Sequence, residues 1–202
     1  MKPIHTLCAS LLSLLLLGTT GMAAAQQNVN IRGTLTAFDG QQLSIKTRDG
    51  RDVQVDLPAE VNVAATKAFS LGDIKPGMVL GVTTVKRGSD VVAIDVRPIP
   101  PTARQGLSPF DLQPESTMTN AVVEGTAVQA PGGNGNALTL TYPGGNVMVL
   151  VPPGTPMSQS MPGSRADLKP GEGIFAAVRQ GEGGKLIAVR VQVGKDGVRP
   201  TQ

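Results

Sequence analysis

The chain has 202 residues, with 18 Lys and Arg against 15 Asp and Glu, one His, one Cys, no Trp, one Tyr and four Phe. The charges are scattered along the sequence, which is typical of a solvated surface and not of a nucleic-acid footprint. Few aromatic rings are available to stack bases, so we expect no nucleic acid as a partner; the weak basic candidates for a polyanion are Arg48, Arg51, Lys86 and Arg87.

Residues 1–25 have the pattern of a cleaved signal peptide. Lys2 provides a positive start, an apolar core runs over 7–17, and small residues stand at Ala23 and Ala25. The apolar core is shorter than the roughly 20 residues that a membrane-spanning helix needs. We predict cleavage after Ala25, export to the periplasm or the medium, and no membrane span in the mature chain.

Cleavage would change the chemistry that the protein can perform. His5 and Cys8 are the only histidine and cysteine, and both precede the predicted cleavage site. The mature chain would therefore lack the base of a Ser-His-Asp or Cys-His site and the ligands of a Cys/His zinc site. We expect a protein that is not an enzyme and that carries no cofactor.

Two long stretches of the sequence repeat each other. "SLGDIKPG" begins at Ser70 and "SRADLKPG" at Ser164, and similar blocks precede and follow them in the same order. The matched blocks are "LSIKT" with "LTLTY", "VQVDLP" with "VMVLVP", and "VVAIDV" with "LIAVRV". This pattern indicates an internal duplication.

Each repeat predicts five β-strands. Apolar and polar residues alternate as in half-buried strands, and turns such as Asp39-Gly40, Asp49-Gly50 and Gly144-Gly145 separate them. The predicted strands are 29–38, 41–48, 51–57, 78–87 and 90–97 in the first repeat, and 121–130, 137–142, 146–151, 173–180 and 185–193 in the second.

The repeated Lys-Pro-Gly sequence predicts a type II turn before the fourth strand of each repeat. Proline suits the second position of this turn, and glycine supplies the positive φ that the third requires. A Ser-x-x-Asp pattern before the turn (Ser70 and Asp73, Ser164 and Asp167) resembles a capping box. Ile74 and Leu168 are expected to be buried beside the turns.

The predicted fold class is all-β, with two tandem five-stranded barrels that are OB-like or, as the alternative, SH3-like, and with little helix. The first barrel module covers 26–98, a proline-containing linker covers 99–120, the second module covers 121–197, and 198–202 form a tail. We expect an ordered linker, anchored by Phe110, Leu112 and Met118. Because small domains without disulfides bury little surface, we expect the modules to dock on each other or on a partner.

One strand of the second repeat offers a candidate partner surface. If Val147, Val149 and Val151 face the core, Met148 and Leu150 face outward, where the first repeat has Gln54 and Asp56. Burying two such side chains would contribute roughly 1.5–3 kcal/mol each. The two candidate occupants of this surface are the protein's own other module and another envelope protein.

Met157 and Met161 form a candidate Cu(I) site in "PMSQSMPG", because thioethers are soft ligands that suit Cu(I). Four-residue spacing brings the two sulfurs to one side only in a helical turn. The alternative is that both side chains fill gaps in the core.

Carboxylates are the remaining catalytic candidates. Asp49, Asp52 and Asp56 cluster around one hairpin, but Arg48 and Arg51 are interleaved with them. This arrangement is typical of solvated charge and not of a pair with separated pKa values.

The combination of these motifs resembles an uncharacterised exported bacterial family with a repeated domain of unknown function. The resemblance rests on Gly-Thr and Asp-Gly pairs, Asp-(Ile/Leu)-Lys-Pro-Gly, "VAIDV", the linker "PFDLQPESTMTNA" and the tail "VQVGKDG", and it covers essentially the whole mature chain. Some relatives carry an automatic label of metal transporter permease. The resemblance implies an exported β-protein and brings no catalytic residues.

The sequence thus favours a non-enzymatic periplasmic protein that serves as a protein-binding or structural envelope module. The alternative is a metal-handling accessory protein that binds Cu(I) through Met157 and Met161.

Overall fold

The computed structural model describes residues 28–201, which form thirteen β-strands and three single-turn 3-10 helices. Residues 1–27 and 202 are not described, so the predicted signal peptide, with His5 and Cys8, lies outside the described residues. The 3-10 helices are Leu71–Asp73, Arg165–Asp167 and Glu182–Gly184.

The strands follow one another with short connections. They are β1 (Val29–Phe38), β2 (Gln42–Thr47), β3 (Asp52–Asp56), β4 (Val63–Ala68), β5 (Val79–Arg87), β6 (Asp90–Pro98), β7 (Gly106–Pro109), β8 (Thr117–Gln129), β9 (Asn136–Tyr142), β10 (Gly145–Val151), β11 (Ser158–Pro162), β12 (Gly173–Gln180) and β13 (Leu186–Gly194).

All ten predicted strands are present, most of them within two residues of the predicted ends. The exception is β8, which begins at Thr117 inside the predicted linker. Three further strands were not predicted: β4 and β11, which follow the third strand of each repeat, and β7 in the linker. Their sequences are short and lack a clear alternation of apolar and polar residues, so local pattern did not reveal them.

The two Lys-Pro-Gly turns have the predicted conformation. Gly77 has φ +82° and Gly171 has φ +95°, and the residue after each glycine donates to the lysine carbonyl, Met78 to Lys75 at 3.1 Å and Glu172 to Lys169 at 3.2 Å. Before each turn, the serine N–H donates to an aspartate Oδ2, at 2.9 Å for Ser70 and Asp73 and 2.8 Å for Ser164 and Asp167. Ile74 and Leu168 are buried, as predicted.

One sheet contains a closed five-stranded barrel. Its order is β5-β6-β10-β9-β8, and β5 also pairs with β8, which closes the ring; β7 lies beside β8. The parallel contact between β6 and β10 is the pair Val92 with Leu150. The barrel therefore contains two strands of the first repeat and three of the second.

The other sheet has seven strands, in the order β11-β4-β13-β12-β1-β2-β3, with an additional pair between Asp56 of β3 and Ile187 of β13. It combines β1, β2, β3 and β4 of the first repeat with β11, β12 and β13 of the second. Both sheets are thus built from both halves of the sequence.

The topology shows the predicted all-β class and one closed barrel, and it does not show two tandem barrels. The structure has one closed five-stranded barrel, and the last two strands of each repeat lie beside the first three strands of the other. The exchange is reciprocal at the repeated turn, because Gly77 N–H donates to the Val123 carbonyl at 3.0 Å and Gly171 N–H donates to the Leu35 carbonyl at 2.8 Å. A duplicated sequence specifies the pairing of equivalent strands but not which copy supplies them.

The unpredicted strands β4 and β11 explain how the chain crosses. They pair with each other in antiparallel register, and Thr66 lies opposite Ser160, its equivalent in the repeat. Each segment after a third strand is therefore extended, and it carries the chain across to the other sheet. Pairing of equivalent residues places a local pseudo-twofold axis at this ribbon.

Two separate hydrophobic cores result. The core of the seven-stranded sheet includes Leu35, Ile45 and Ile174, and the core of the barrel includes Leu80, Val96 and Leu138. Leu168 belongs to the core of the seven-stranded sheet, which the following strand β12 joins. Ile74 belongs to the core of the barrel, which the following strand β5 joins.

The linker is ordered, as predicted. Gly106–Pro109 pairs with β8, Met118 is buried, and the Phe110 N–H donates to the Ser116 carbonyl at 2.9 Å. The linker therefore packs along the sheets, and its position brings Phe110 between charged residues described below.

Candidate functional site

The predicted partner surface lies on the outer side of the barrel. Val149 and Val151 are buried in the barrel core and Val147 packs against it, so the neighbouring Met148 and Leu150 point to the opposite face of β10. Met148 is 56% exposed, whereas Leu150 is partly buried. The predicted orientation of this strand is therefore confirmed.

Neighbouring strands extend this apolar surface. In the sheet register, Val128 of β8 lies opposite Ala137 of β9, and Ala137 lies opposite Leu150 of β10. Directly opposed residues share one face of a sheet. Val128 is 59% exposed, so it and Met148 are the two prominent side chains of what we call the β8–β10 apolar face: Val128, Ala137, Met148 and Leu150.

The β8–β10 apolar face continues onto a strand of the first repeat. Leu150 pairs with Val92 of β6, and Val92 pairs with Val85 of β5. Val85 and Val92 are buried. Because the barrel combines strands of both repeats, Leu150 of the second repeat lies beside Val92 of the first on this side of the sheet.

The structure does not bring the two methionines of the candidate copper site together. Met161 lies in β11 and Met157 directly before it, so the stretch is extended and not a helical turn. Four residues of extended chain span about 13 Å, which is too far for one ion to be held by both sulfurs. Met157 packs against the barrel core, as the core-filling alternative predicted.

A buried polar cluster lies between the two sheets, and sequence reasoning missed it. Arg97 Nη1 donates to Asp95 Oδ2 at 2.9 Å and to Thr201 Oγ1 at 3.1 Å, and the Thr201 hydroxyl donates to Asp95 Oδ1 at 2.9 Å. Arg97 Nη2 also lies 3.4 Å from the sulfur of Met118. Residues of β6, β8 and the C-terminal segment thus meet in one network.

A second arginine connects this cluster with the linker. Arg32 of β1 donates from Nε to the Thr201 carbonyl at 2.7 Å. Its two Nη atoms donate to Asp111, at 2.7 Å to Oδ1 and 3.1 Å to Oδ2, in the bidentate geometry that favours Arg–carboxylate pairs. Asn30 donates to the same carboxylate at 2.9 Å. The linker is therefore held to the seven-stranded sheet at Asp111.

Arginine and phenylalanine side chains alternate across the boundary between the sheets. The Arg32 guanidinium carbon lies 5.3 Å from the Phe175 ring centre and 5.6 Å from that of Phe110. The Arg190 guanidinium carbon also lies 5.3 Å from the Phe175 ring centre, and that of Arg97 lies 5.9 Å from the Phe110 ring centre. Such cation–π contacts contribute about 0.5–2 kcal/mol each. Phe110 joins the two sheets, because Arg32 belongs to the seven-stranded sheet and Arg97 to the barrel.

Burial governs the electrostatics of this cluster. Desolvation raises the pKa of Asp95, although the charges of Arg97 and other arginines and the Thr201 hydrogen bond oppose it. Desolvation also lowers the pKa of Arg97 to about 10. The Asp111 pKa is lowered, mainly by the hydrogen bonds from Arg32. The cluster holds the sheets together, with both Asp95 carboxylate oxygens bonded, one to Arg97 and one to Thr201.

A signal for this cluster was present in the sequence. Asp95 and Arg97 alternate with Val96 in "AIDVRP", so they lie on the same side of a strand whose other side is apolar. A charge pair at that spacing can neutralise itself on a buried face. The Arg32 and Asp111 pair carried no comparable signal, because the two residues are distant in the sequence.

The carboxylate hairpin has the character predicted for solvated charge. Arg51 Nε lies 2.7 Å from Asp49 Oδ2, and both side chains are exposed. Within residues 28–201, no three His, Cys, Asp or Glu side chains are grouped closely enough to hold a metal ion. In the same described part of the chain, no helix has the length and apolar character to cross a membrane.

Comparison with known proteins adds no relative. No protein-family model, no curated protein and no solved structure matches this chain.

Proposed function

We propose that this protein is a non-enzymatic, exported envelope protein that binds another envelope protein through the β8–β10 apolar face. The observation that carries the proposal is the exposure of Met148 and Val128, at 56% and 59%, on the same face of the sheet, where Ala137 is buried and Leu150 is partly buried beside them. Large apolar side chains that are grouped and exposed are characteristic of protein contact sites.

The form of the surface suits a folded protein partner. The face lies on three antiparallel strands, and the middle strand β9 is paired along both edges, so a partner would contact it through side chains. Methionine adapts its shape to the surface that it meets. Burying Met148 and Val128 would contribute roughly 1.5–3 kcal/mol each.

An OB-like description of the protein supports a binding role. We infer that the barrel and the seven-stranded sheet are two OB-like units that have exchanged their last two strands, since the order of equivalent strands is the same in both. OB folds commonly present strand faces and loops to partners. The exported location is part of the proposal and rests on the N-terminal sequence pattern alone.

Crosslinking in intact cells tests the proposal. We expect the full chain to give a defined crosslinked species through a photoreactive residue at Thr139, which lies opposite Met148. Met148→Asp, alone and together with Leu150→Asp, should abolish that species. Val189→Asp is the matched control, because Val189 is 40% exposed but lies on β13 of the other sheet. Thermal unfolding of each purified variant separates loss of binding from loss of folding. The proposal fails if the species persists in folded Met148→Asp protein.

A further inference from the structure

We propose that one end of the barrel, formed by the last residues of β5 and the first residues of β8, is a binding site for a small amphipathic organic anion. The site is a cavity of about 640 Å³, lined by Thr84, Thr119, Val91, Val147 and Tyr142, with Lys86 and Arg87 beside it. Its volume is within the range of small-molecule sites, about 300–1,000 Å³.

The cavity opens into the barrel interior. Val91, Tyr142 and Val147 are partly buried side chains that pack against the barrel core. Thr119 is two residues before Ala121 on β8, and Ala121 belongs to that core, so alternation along the strand places Thr119 on the interior face. Part of the wall is therefore the end layer of the barrel core, and the exposed side chains of Leu107, Lys86 and Arg87 form the open rim.

Thr119 provides the observation that points to a ligand. Its side chain is buried, with 1% exposure, yet its hydroxyl has no hydrogen-bond partner among residues 28–201. Such a group destabilises the folded protein unless something else bonds to it. By contrast, the Thr84 hydroxyl beside it donates to the Thr117 carbonyl at 3.4 Å. A polar atom of a ligand in the cavity would satisfy Thr119.

The charge at the mouth indicates the sign of the ligand. Lys86 and Arg87 are the last residues of β5, and both are exposed beside the cavity, whereas Glu115 is the only acid among the lining residues. The linker covers the other side with Gln113 and Pro114, and Leu107 of β7 adds a 54% exposed apolar side chain. A ligand with an apolar body and one anionic group would match valines inside and cations outside.

This site is separate from the β8–β10 apolar face, because none of Val128, Ala137, Met148 and Leu150 lines it. Neither proposal depends on the other. Val85 is the one residue common to the two descriptions, since it lines the cavity and also pairs with Val92.

Ligand displacement tests the site in the full mature chain. We would saturate the protein with the fluorescent anion 8-anilinonaphthalene-1-sulfonate and add decanoate or decyltrimethylammonium below their micelle concentrations. Decanoate should displace the dye at a concentration at which decyltrimethylammonium does not, since both have the same apolar chain and opposite charges. Equal displacement by the two, or no saturable dye binding, would overturn the proposal.

Two variants separate the contributions of charge and hydroxyl. Lys86→Gln with Arg87→Gln should weaken decanoate binding about fivefold, and Lys67→Gln with Lys75→Gln, two exposed lysines outside the cavity, should not change it. Thr119→Val should weaken decanoate binding about three- to tenfold.

The same threonine variant has an opposite effect on stability. Thr119→Val removes an unpartnered buried hydroxyl at constant shape, so without ligand its unfolding temperature should be higher than that of the wild type. A rise in unfolding temperature together with weaker decanoate binding supports the site. A rise with unchanged binding would show that the hydroxyl does not contact the ligand and would overturn its assigned role.

Discussion

Gly171 donates its backbone N–H to the carbonyl oxygen of Leu35 at 2.8 Å, which connects the turn of the second repeat to the first strand of the first. The equivalent bond joins Gly77 to Val123 at 3.0 Å. These two bonds show how the repeats are combined, because the strands of each repeat pair with strands of the other. The chain is one interlocked unit and not two independent domains.

Cutting the chain between the repeats should not separate them. A site-specific protease sequence inserted between Thr102 and Ala103 lies in the exposed turn after β6. After cleavage, the two fragments should elute together in size-exclusion chromatography and separate only in denaturant, since each sheet contains strands of both. Elution of two native fragments at their individual sizes would contradict the observed topology.

Removing one partner of the buried ion pair should destabilise the protein strongly. Arg97→Met leaves the Asp95 carboxylate buried without its arginine, and such a change typically costs about 3–5 kcal/mol of unfolding free energy. Asp95→Leu combined with Arg97→Met should cost less than Arg97→Met alone, because it leaves no uncompensated charge. Urea unfolding at pH 7 measures both; an equal or larger loss in the double variant would refute this account.

A side chain at the glycine of the repeated turn should destabilise the protein. Gly171→Ala forces a left-handed conformation on alanine, since φ is +95°, and we expect a loss of about 1–2 kcal/mol. A Cβ atom at this position would meet no atom within 4 Å, so the effect would come from the backbone and not from a clash. Gly72→Ala is the control, because Gly72 has no positive φ and its nearest atom would be 3.7 Å away. Denaturant titration should find little change in Gly72→Ala and a clear loss in Gly171→Ala.

Stability should fall in acid partly through the two capping aspartates. Hydrogen bonds from Ser70 lower the pKa of Asp73, and the bond from the Ser164 N–H, followed by that from Lys195, lowers the pKa of Asp167. Since both folded-state values lie below the ordinary value of 3.8, these groups contribute stability above that pH and lose it as the pH falls through the lowered values.

The buried Asp95 changes the stability with pH in the opposite direction, because its pKa is raised. Its raised pKa means that the folded protein binds this proton more tightly than the unfolded chain, so Asp95 lowers stability progressively as the pH rises from the ordinary value of 3.8 through the raised value. Because the pKa values of the two capping aspartates are lowered, replacing Asp73 and Asp167 with Asn should flatten the acid side of the stability profile. Urea unfolding between pH 2.5 and 7 measures this profile. An unchanged slope would exclude a role for the two caps.

Much of the architecture could be predicted because it is local. Alternation in segments such as Leu43–Thr47 specifies a strand and its buried side, and Pro-Gly specifies a turn through two restricted φ values. The orientation of Met148 followed from the valines on either side of it. The cavity at Thr119 could not be predicted, because its lining comes from six strands, β5 to β10, and from residues 113–115.

The sequence by itself determined the duplication, the ten main strands, the two turns and the outward side of β10, since each depends on residues close together in the chain. Only the tertiary structure decided which repeat supplies each strand, because two equivalent hairpins compete for each position with nearly the same side chains. It also decided that Asp95, Arg97 and Arg32 meet with Phe110 between the sheets. Those residues are distant in the sequence, so their contacts form only after β4 and β11 have paired and the strands of the two repeats lie together.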